Sequence, residues 1–423
     1  MLLLDLAYFL IILLYLPLFP LWIKFLLKKE YRDILRHRFS PNIKSSNNKR
    51  IWIHAVSVGE VRSLKYLIEK LKEKYKNKEI VLSVTTPSGF ECAKDEFPGL
   101  AVINAPVDFS FIIKKFIKKI NPQLLILNEL EIWPNWIRIT HREKVPVLLV
   151  NGRISELAFK RYKKTVFLLK GFLNKIDRYM VQAELYKKKF QQLGIPEEKL
   201  LVCGNIKADE AFNSLENLPP DSEIADFLGI RTGKNRKKII TVASSHLSDE
   251  QLIIPAINKL AEDFLFIIAP RHLNRVEEIE KRLANHRVEF STWTKGKATP
   301  GTKTGSTLLF DRMGYLFKVL KISDIVFMGG TLERKIGGHN LYEPAVLGKL
   351  ILGGPYYNNF PDIGEELATR GVYKIVRDTE EFQRMLPQCA AEMKQTAAAA
   401  VDAVSRRRGS TECILKEIQR LLP

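Results

Sequence analysis

Two stretches of this chain combine residue types that can do chemistry. The first is Gly329-Gly330-Thr331-Leu332-Glu333-Arg334-Lys335-Ile336-Gly337-Gly338-His339-Asn340-Leu341-Tyr342-Glu343-Pro344-Ala345, which follows an apolar run, Ile325 to Met328, and leads into a helical pattern. A strand, glycine loop and helix start of this kind let backbone N–H groups approach an anion, and the helix adds its positive dipole end. A carboxylate just inside that helix would repel phosphate but can accept hydrogen bonds from sugar hydroxyls, so Glu343 is a candidate ribose ligand. An ordinary βα turn with a helix-favourable Glu in its first turn is the competing reading. The second stretch, His54-Ala55-Val56-Ser57-Val58-Gly59-Glu60, ends a strand, passes a glycine and delivers a carboxylate to a helix start. Glu60 is therefore a candidate general base for a hydroxyl brought within about 3 Å of it. Complementing the helix dipole is its plainer role.

These residues need elements to position them, and the pattern supplies strands alternating with helices. Apolar runs at 51–58, 80–85, 101–103, 124–127, 145–150, 179–181 and 200–202 form one series, and runs at 239–243, 264–269, 308–310, 324–328 and 350–352 form a second. Such alternation predicts parallel sheets covered on both faces, which bind ligands beyond their strand carboxyl ends. Loops with polar or charged residues fall at those ends: Asn128-Glu129-Leu130-Glu131-Ile132-Trp133-Pro134-Asn135, Asn151-Gly152-Arg153-Ile154-Ser155, Gly204-Asn205-Ile206-Lys207, Ser244-Ser245-His246 and Pro270-Arg271-His272. Each loop is weak evidence alone; their placement on one edge of each series is harder to dismiss.

The 423 residues are 46% hydrophobic and 27% charged, a globular composition with room for two or three domains. The net charge of +20 favours an anionic partner, whether nucleic acid, an anionic membrane face or phosphorylated substrate. No RNA-binding pattern with interleaved aromatics is visible, so nucleic acid is not expected. Four well-separated cysteines (92, 203, 389, 413) show neither zinc spacing nor a CxxC pair, and read as thiols in a reducing compartment. Seven histidines form no metal-binding pattern and no Asp-x-Asp is present, so neither a metal nor another cofactor is expected.

Along the chain, residues 1–39 read as a membrane anchor with a basic flank. Leu2 to Ile23 is almost wholly apolar, long enough for a bilayer core of roughly 30 Å, and Lys24, Lys28, Lys29, Arg32, Arg36 and Arg38 follow it on what would be the cytoplasmic side. Pro17 and Pro20 leave open a kinked helix embedded in one leaflet. After a polar stretch, residues 50–210 form a first Rossmann-like domain, 211–238 a linker, 239–387 a second Rossmann-like domain and 388–423 a helical tail. Lysine clusters at 114–119, 160–164 and 187–189 are solvated helix faces or a contact with anionic lipid headgroups.

The succession Ser57-Val58-Gly59-Glu60, Thr85-Thr86-Pro87-Ser88-Gly89, Glu129 to Asn135, Gly204 to Lys207, Pro270-Arg271-His272, Asp311-Arg312-Met313-Gly314, Gly329-Gly330, Gly338-His339-Asn340 and Glu343-Pro344 resembles the membrane-anchored transferases of 3-deoxy-D-manno-octulosonic acid (Kdo). The resemblance runs to about Leu367. It implies an α/β protein of GT-B fold, with two Rossmann-like domains facing a central cleft and an N-terminal anchor helix. It implies transfer of Kdo from CMP-Kdo to the lipid A precursor in lipopolysaccharide biosynthesis, at the cytoplasmic face of the inner membrane and against its anionic leaflet. Glu60 would be the catalytic base of an inverting, metal-independent reaction. Ser244, Ser245, Arg271, His272, Met313, Gly314, Gly329, Gly330, Gly338, Asn340 and Glu343 would hold the donor, with the charge of CMP offset by helix N-termini and cations such as Arg271 and Lys207. Ser57, Gly59, Thr86, Ser88, Glu129, Glu131, Arg153 and Lys207 would face the acceptor. Tyr315 stands where that family commonly has glutamate, and Leu341-Tyr342 replaces a Pro-Leu pair, which bears on fine specificity. Competing readings are a GT-B transferase using a UDP-sugar on another lipid-linked acceptor, and a catalytically inert protein that sits on anionic lipid.

Overall fold

Strands built from β-branched and aromatic residues, bounded by polar turns, form two seven-stranded sheets in a computed structural model that describes residues 5, 6, 8, 29–228, 236–295 and 307–422. The first contains β1 (Arg50–Ala55), β2 (Ile80–Val84), β3 (Ala101–Asn104), β4 (Pro122–Asn128), β5 (Val147–Gly152), β6 (Arg178–Val181) and β7 (Leu200–Val202). Its order is β3-β2-β1-β4-β5-β6-β7, and every pairing is parallel. The second contains β8 (Lys238–Ser245), β9 (Phe264–Pro270), β10 (Phe290–Thr292), β11 (Thr307–Leu309), β12 (Ile325–Met328), β13 (Leu350–Gly353) and β14 (Tyr373–Ile375). It runs β10-β11-β9-β8-β12-β13-β14, again all parallel. Strands β10 and β14 have no counterpart among the expected runs. Each has three residues, too few for an alternation to show.

Parallel strands are buried on both faces, and alternate residues feed separate cores. Trp52, Leu125, Leu127, Leu149 and Tyr179 pack on one side of the first sheet, while Ile51, Ile53, Leu124, Ile126, Leu148 and Met180 pack on the other. In the second sheet Ile240, Val242, Phe266, Phe327 and Leu352 face one core, and Ile239, Ile267, Leu308 and Phe310 the other.

The chain divides into two compact units, 1–210 with 408–423, and 211–407. The segment read as a linker carries parts of two helices, Ile206–Glu216 and Asp221–Leu228. The tail is two helices belonging to different units. Thr379–Ser405 covers the second sheet, and Ser410–Leu421 buries Ile414, Leu415 and Ile418 in the first unit. Asp209 accepts the N–H groups of Gly409 and Thr411 at 2.8 and 2.6 Å, fixing the start of that last helix. Cys203 and Cys413 form a disulfide, which corrects the expectation of four thiols; Cys92 and Cys389 are free. Their 210-residue separation hides the pairing from any spacing rule.

Most of the expected anchor, 2–23, lies outside the described residues. Among the described residues no helix is long and apolar enough to cross a membrane. Asp5 and Tyr8 are described, and both dock on the first unit: Asp5 accepts from Ser110 N–H and the Asn135 amide at 3.0 Å each, and Tyr8 donates to Asp108 at 2.8 Å.

In each sheet the order of strand addition reverses beside the first strand. The reversal lies between β1 and β4 in the first unit and between β8 and β12 in the second. The crevice at the carboxyl ends of such a strand pair is where open α/β sheets take ligands. At the second reversal the strands leave no room for a side chain: a Cβ on Gly329 would lie 2.4 Å from the Ser244 carbonyl oxygen and 2.9 Å from that of Ala243. Gly329→Ala must push β12 from β8. We expect a cost of about 3 kcal/mol or more, read as a lowered thermal midpoint; an unchanged midpoint would show that the backbone relaxes freely here.

Candidate active site

At the reversal in the first unit, β1 ends and the chain turns into the helix Val58–Ser63, which carries Glu60 in its first turn. The Glu60 carboxylate accepts the Val56 N–H at 3.0 Å and the Ser57 hydroxyl at 3.3 Å, so the carboxylate closes back over the strand end. Burial pushes its pKa up from 4.5 to about 7, helped by the negative charge of Glu129 and Glu131 and opposed by the Val56 N–H and Lys207. Such a carboxyl is poised to take a proton near neutral pH. Thr86 braces the same turn, donating its hydroxyl to the Val56 carbonyl at 2.9 Å and accepting the Gly89 N–H at 3.2 Å. A Cβ on Gly59 would meet only the Ser57 hydroxyl, 4.0 Å away.

Across the reversal, β4 delivers Glu129 in a left-handed conformation, φ 60°, unusual for a non-glycine and held by its partners. Glu129 accepts from Arg153 Nε at 2.8 Å and Lys207 Nζ at 3.4 Å. Burial acts to raise its pKa, but Lys207 and Arg153 outweigh burial and hold it below the usual carboxylate value. Thus Glu60, Ser57, Glu129, Glu131, Arg153 and Lys207 come together from the ends of β1, β4, β5 and β7. Ser88 is exposed on its helix and no hydrogen bond ties it to this group among the described residues. Lys207 pairs with Glu129 in the first unit at 3.4 Å, a carboxylate that it shares with Arg153.

Three residues of this region were given no role from the sequence, though His54 and Asn128 stand at the start of stretches named there. His54 is fully buried; its Nδ1 faces the Ser83 backbone carbonyl at 3.1 Å, while Nε2 has no hydrogen bond and lies 3.7 Å from Glu131. Glu131 also accepts the Trp133 indole N–H at 2.7 Å, which orients that loop. Asp108 accepts the N–H groups of Asn135 and Trp136 at 3.1 and 2.8 Å and so caps the helix Pro134–Arg142; burial lifts its pKa to about 6. Asn128 ends β4 fully buried with both amide atoms unpartnered among the described residues, the kind of orphan that a substrate or water satisfies.

In the second unit, Ser244 (φ 53°) and Ser245 end β8, and Gly329 and Gly330 follow β12. The four glycines of the loop do not present their own N–H groups to a ligand as expected. Gly329 donates to Ala243, Gly337 to Glu333 and Gly338 to Gly330 carbonyls at 2.9, 3.0 and 3.0 Å, and Gly330 donates to the Asp249 carboxylate at 2.8 Å. The glycines serve chain packing and positive φ angles, 72° at Gly330 and 78° at Gly338. The helix beyond spans only Tyr342–Val346 and ends before Gly348, φ 67°, so it brings little dipole. Asn340 donates to Glu343 at 3.0 Å and accepts the Tyr342 N–H at 3.1 Å, which fixes both polar side chains at the loop's end.

Asp249, missed in the sequence although His246-x-x-Asp249 has capping-box spacing, is the knot of this region. It accepts from the backbone of His246 and Gly330 at 2.8 Å each, and burial raises its pKa from 3.8 to about 7. Ser245 turns inward to Glu250, which Arg275 grips through two bonds of 2.9 and 2.7 Å. His246 and His339 meet Nε2 to Nε2 at 2.8 Å. Burial, with His246, Arg271 and His272 nearby, lowers the His339 pKa to about 3, and burial with His272 lowers that of His246. The surroundings of this pair are electropositive. Arg271 and His272 follow β9, while Met313 (exposed) and Gly314 (φ 86°) follow β11, further along the same sheet edge.

Two seven-stranded parallel α/β units with polar clusters at both sheet reversals share their fold with a solved glycosyltransferase from Rickettsia africae, TM-score 0.59 at 16% identity, covering 89% of this chain and 99% of that one. Residues 33–210 match the family described as 3-deoxy-D-manno-octulosonic-acid transferase (kdotransferase). A 3-deoxy-D-manno-octulosonic acid transferase of Chlamydia pneumoniae is 31% identical over 354 residues, 82% of this chain and 79% of that protein. A bifunctional glycosyltransferase/methyltransferase of Fusobacterium nucleatum is 33% identical over 364 residues, 85% of this chain, and the alignment spans just over half, 56%, of that relative's length. The chain belongs to the Kdo transferase family and is a glycosyltransferase.

Proposed function

We propose that this protein transfers Kdo from CMP-Kdo to the lipid A precursor with inversion at the anomeric carbon and without a metal ion. Glu60 takes the proton from the acceptor hydroxyl as its oxygen bonds to the anomeric carbon. The bond from that carbon to the phosphate oxygen breaks, and CMP leaves with the electron pair. The observation that carries this reading is the half-buried Glu60 carboxyl, held by the Val56 N–H at a sheet reversal with its pKa near 7. The electropositive strand ends of the second unit, with Arg271, suit the leaving nucleotide. Work at the inner membrane, against its anionic leaflet, is supported by the helix Glu156–Leu173. Its Leu157, Phe167 and Leu168 are exposed beside exposed Lys160, Arg161, Lys163 and Lys164.

Detergent-solubilised protein given CMP-Kdo and lipid A precursor in EDTA is expected to add Kdo to the lipid, weighed by mass spectrometry, and Glu60→Ala to lose the product. CMP, but not UDP, should protect against heating, by about 2.7 kcal/mol at a hundred times its dissociation constant. Product only with UDP-sugars would overturn this reading.

A further inference from the structure

The carboxyl end of β11 carries a cation that no carboxylate claims among the described residues. The guanidinium carbon of Arg312 lies 4.4 Å from the Tyr315 ring centroid and 5.2 Å from that of Trp293. Tyr315 is backed by Phe227, with centroids 5.2 Å apart and planes within 14°, and Phe227 meets Trp293 at 4.9 Å. The Trp293 indole N–H donates to the Phe227 carbonyl at 3.3 Å, closing the cluster. Asp311, the nearest carboxylate in sequence, is occupied by the Thr294 N–H at 2.9 Å and by the Thr294 hydroxyl. Lys318 adds a second cation 5.1 Å from the Tyr315 ring. A guanidinium lying on an aromatic face has its plane fixed while the N–H donors at its edge stay available for a planar or tetrahedral oxyanion.

The position fits a ligand seated at the reversal in this sheet. β11 adjoins β9, which is followed by Arg271, and β9 adjoins β8, so Arg312 stands two strand spacings, about 10 Å, from the β8 end and three, about 14 Å, from the β12 end. That is the reach of a nucleoside monophosphate carrying a sugar. The four glycine N–H groups of the loop at the reversal are bonded to the protein itself, which leaves part of such a ligand's negative charge for side chains to meet.

We propose that Arg312, set over Tyr315 and beside Trp293, is the specificity-determining cation for the donor and binds its anionic oxygens, those of the nucleotide phosphate or of the sugar carboxylate. This rests on the CMP-Kdo reading above.

Calorimetry with CMP and with cytidine, and steady-state kinetics with CMP-Kdo, on the full chain and on Arg312→Gln and Tyr315→Leu, test this. Arg312 is exposed, so its variant is expected to melt with the wild type. If the phosphate is the ligand, Arg312→Gln weakens CMP binding 10- to 100-fold and leaves cytidine unchanged. If the carboxylate is the ligand, CMP binding stays and the KM for CMP-Kdo rises 10- to 100-fold. In either case Tyr315→Leu gives a smaller loss in the same parameter with kcat little changed. Arg312→Gln within twofold of wild type in both CMP affinity and KM overturns the inference alone. A wild type that binds no CMP overturns the donor reading and this inference with it.

Discussion

Glu60→Gln is expected to lower kcat by about 10²- to 10⁴-fold and, in the same protein, to raise stability above neutral pH. Both effects come from one cause. Burial, reinforced by the charges of Glu129 and Glu131, makes the ionised carboxylate costly and moves its pKa from 4.5 to about 7. Between those values the folded protein keeps a proton that the unfolded chain has released. The group therefore contributes its full stability below about pH 4.5 and loses it as pH rises through 7. The glutamine, neutral throughout, avoids that loss. With the screening due to a partly exposed carboxyl, the gain at pH 8.5 is on the order of 1–2 kcal/mol, or about 1–2 °C in the midpoint of a chain this size. Melts at pH 4.5 and pH 8.5 should show a higher midpoint for the variant only at the higher pH. Wild-type kcat/KM should climb through pH 7, and the residual activity of the variant should not. Equal midpoints at pH 8.5 would show that the carboxyl is not held against its charge, and would remove the physical basis for its role as base.

The repeating layout was open to inspection in the sequence because parallel strands buried on both faces read as unbroken apolar runs, and all seven strands of the first sheet lie at the runs named for them. The loops at strand ends were equally visible, since a glycine, a carboxylate or a cation directly after such a run is seldom demanded by core packing alone. What stayed hidden depends on sequence separations that no local pattern spans. Asp108 caps a helix that begins 26 residues later; Cys203 meets Cys413 across the chain; Asp249 ties the β8 end to Gly330. The glycine loop departs from its expected role for a related reason. Composition shows that backbone can come close there, and only coordinates show that the partner is β8 of the protein itself. His54 has the bland look of a strand residue, and its open Nε2 beside Glu131 emerges only when β1 and the loop after β4 are brought together.

Glu129→Gln and Lys207→Met should shift the pH dependence of activity in opposite directions, and the first should also cost the most stability of any change in the site. Glu129 sits between Arg153 and Lys207, whose side chains are 31% and 14% exposed, and it satisfies both. Neutralising it takes a charged partner from two largely enclosed cations, and breaking such pairs costs about 2–4 kcal/mol once the partial exposure of Arg153 is allowed for. The same change acts on Glu60 twice: a repelling charge disappears, and the attraction of Lys207 is no longer cancelled. The pKa of Glu60 should fall, moving the rise in kcat/KM below pH 7 by about one unit. Lys207→Met leaves Glu129 charged and removes the attracting cation, so the rise should move above pH 7. A merely loosened loop would lower activity at every pH without moving the midpoint. Measured pH profiles for both variants, with thermal midpoints taken in the same buffers, separate these cases. Shifts of the same sign, or none, would mean that the Glu129 cluster shapes the strand ends without setting the charge on Glu60.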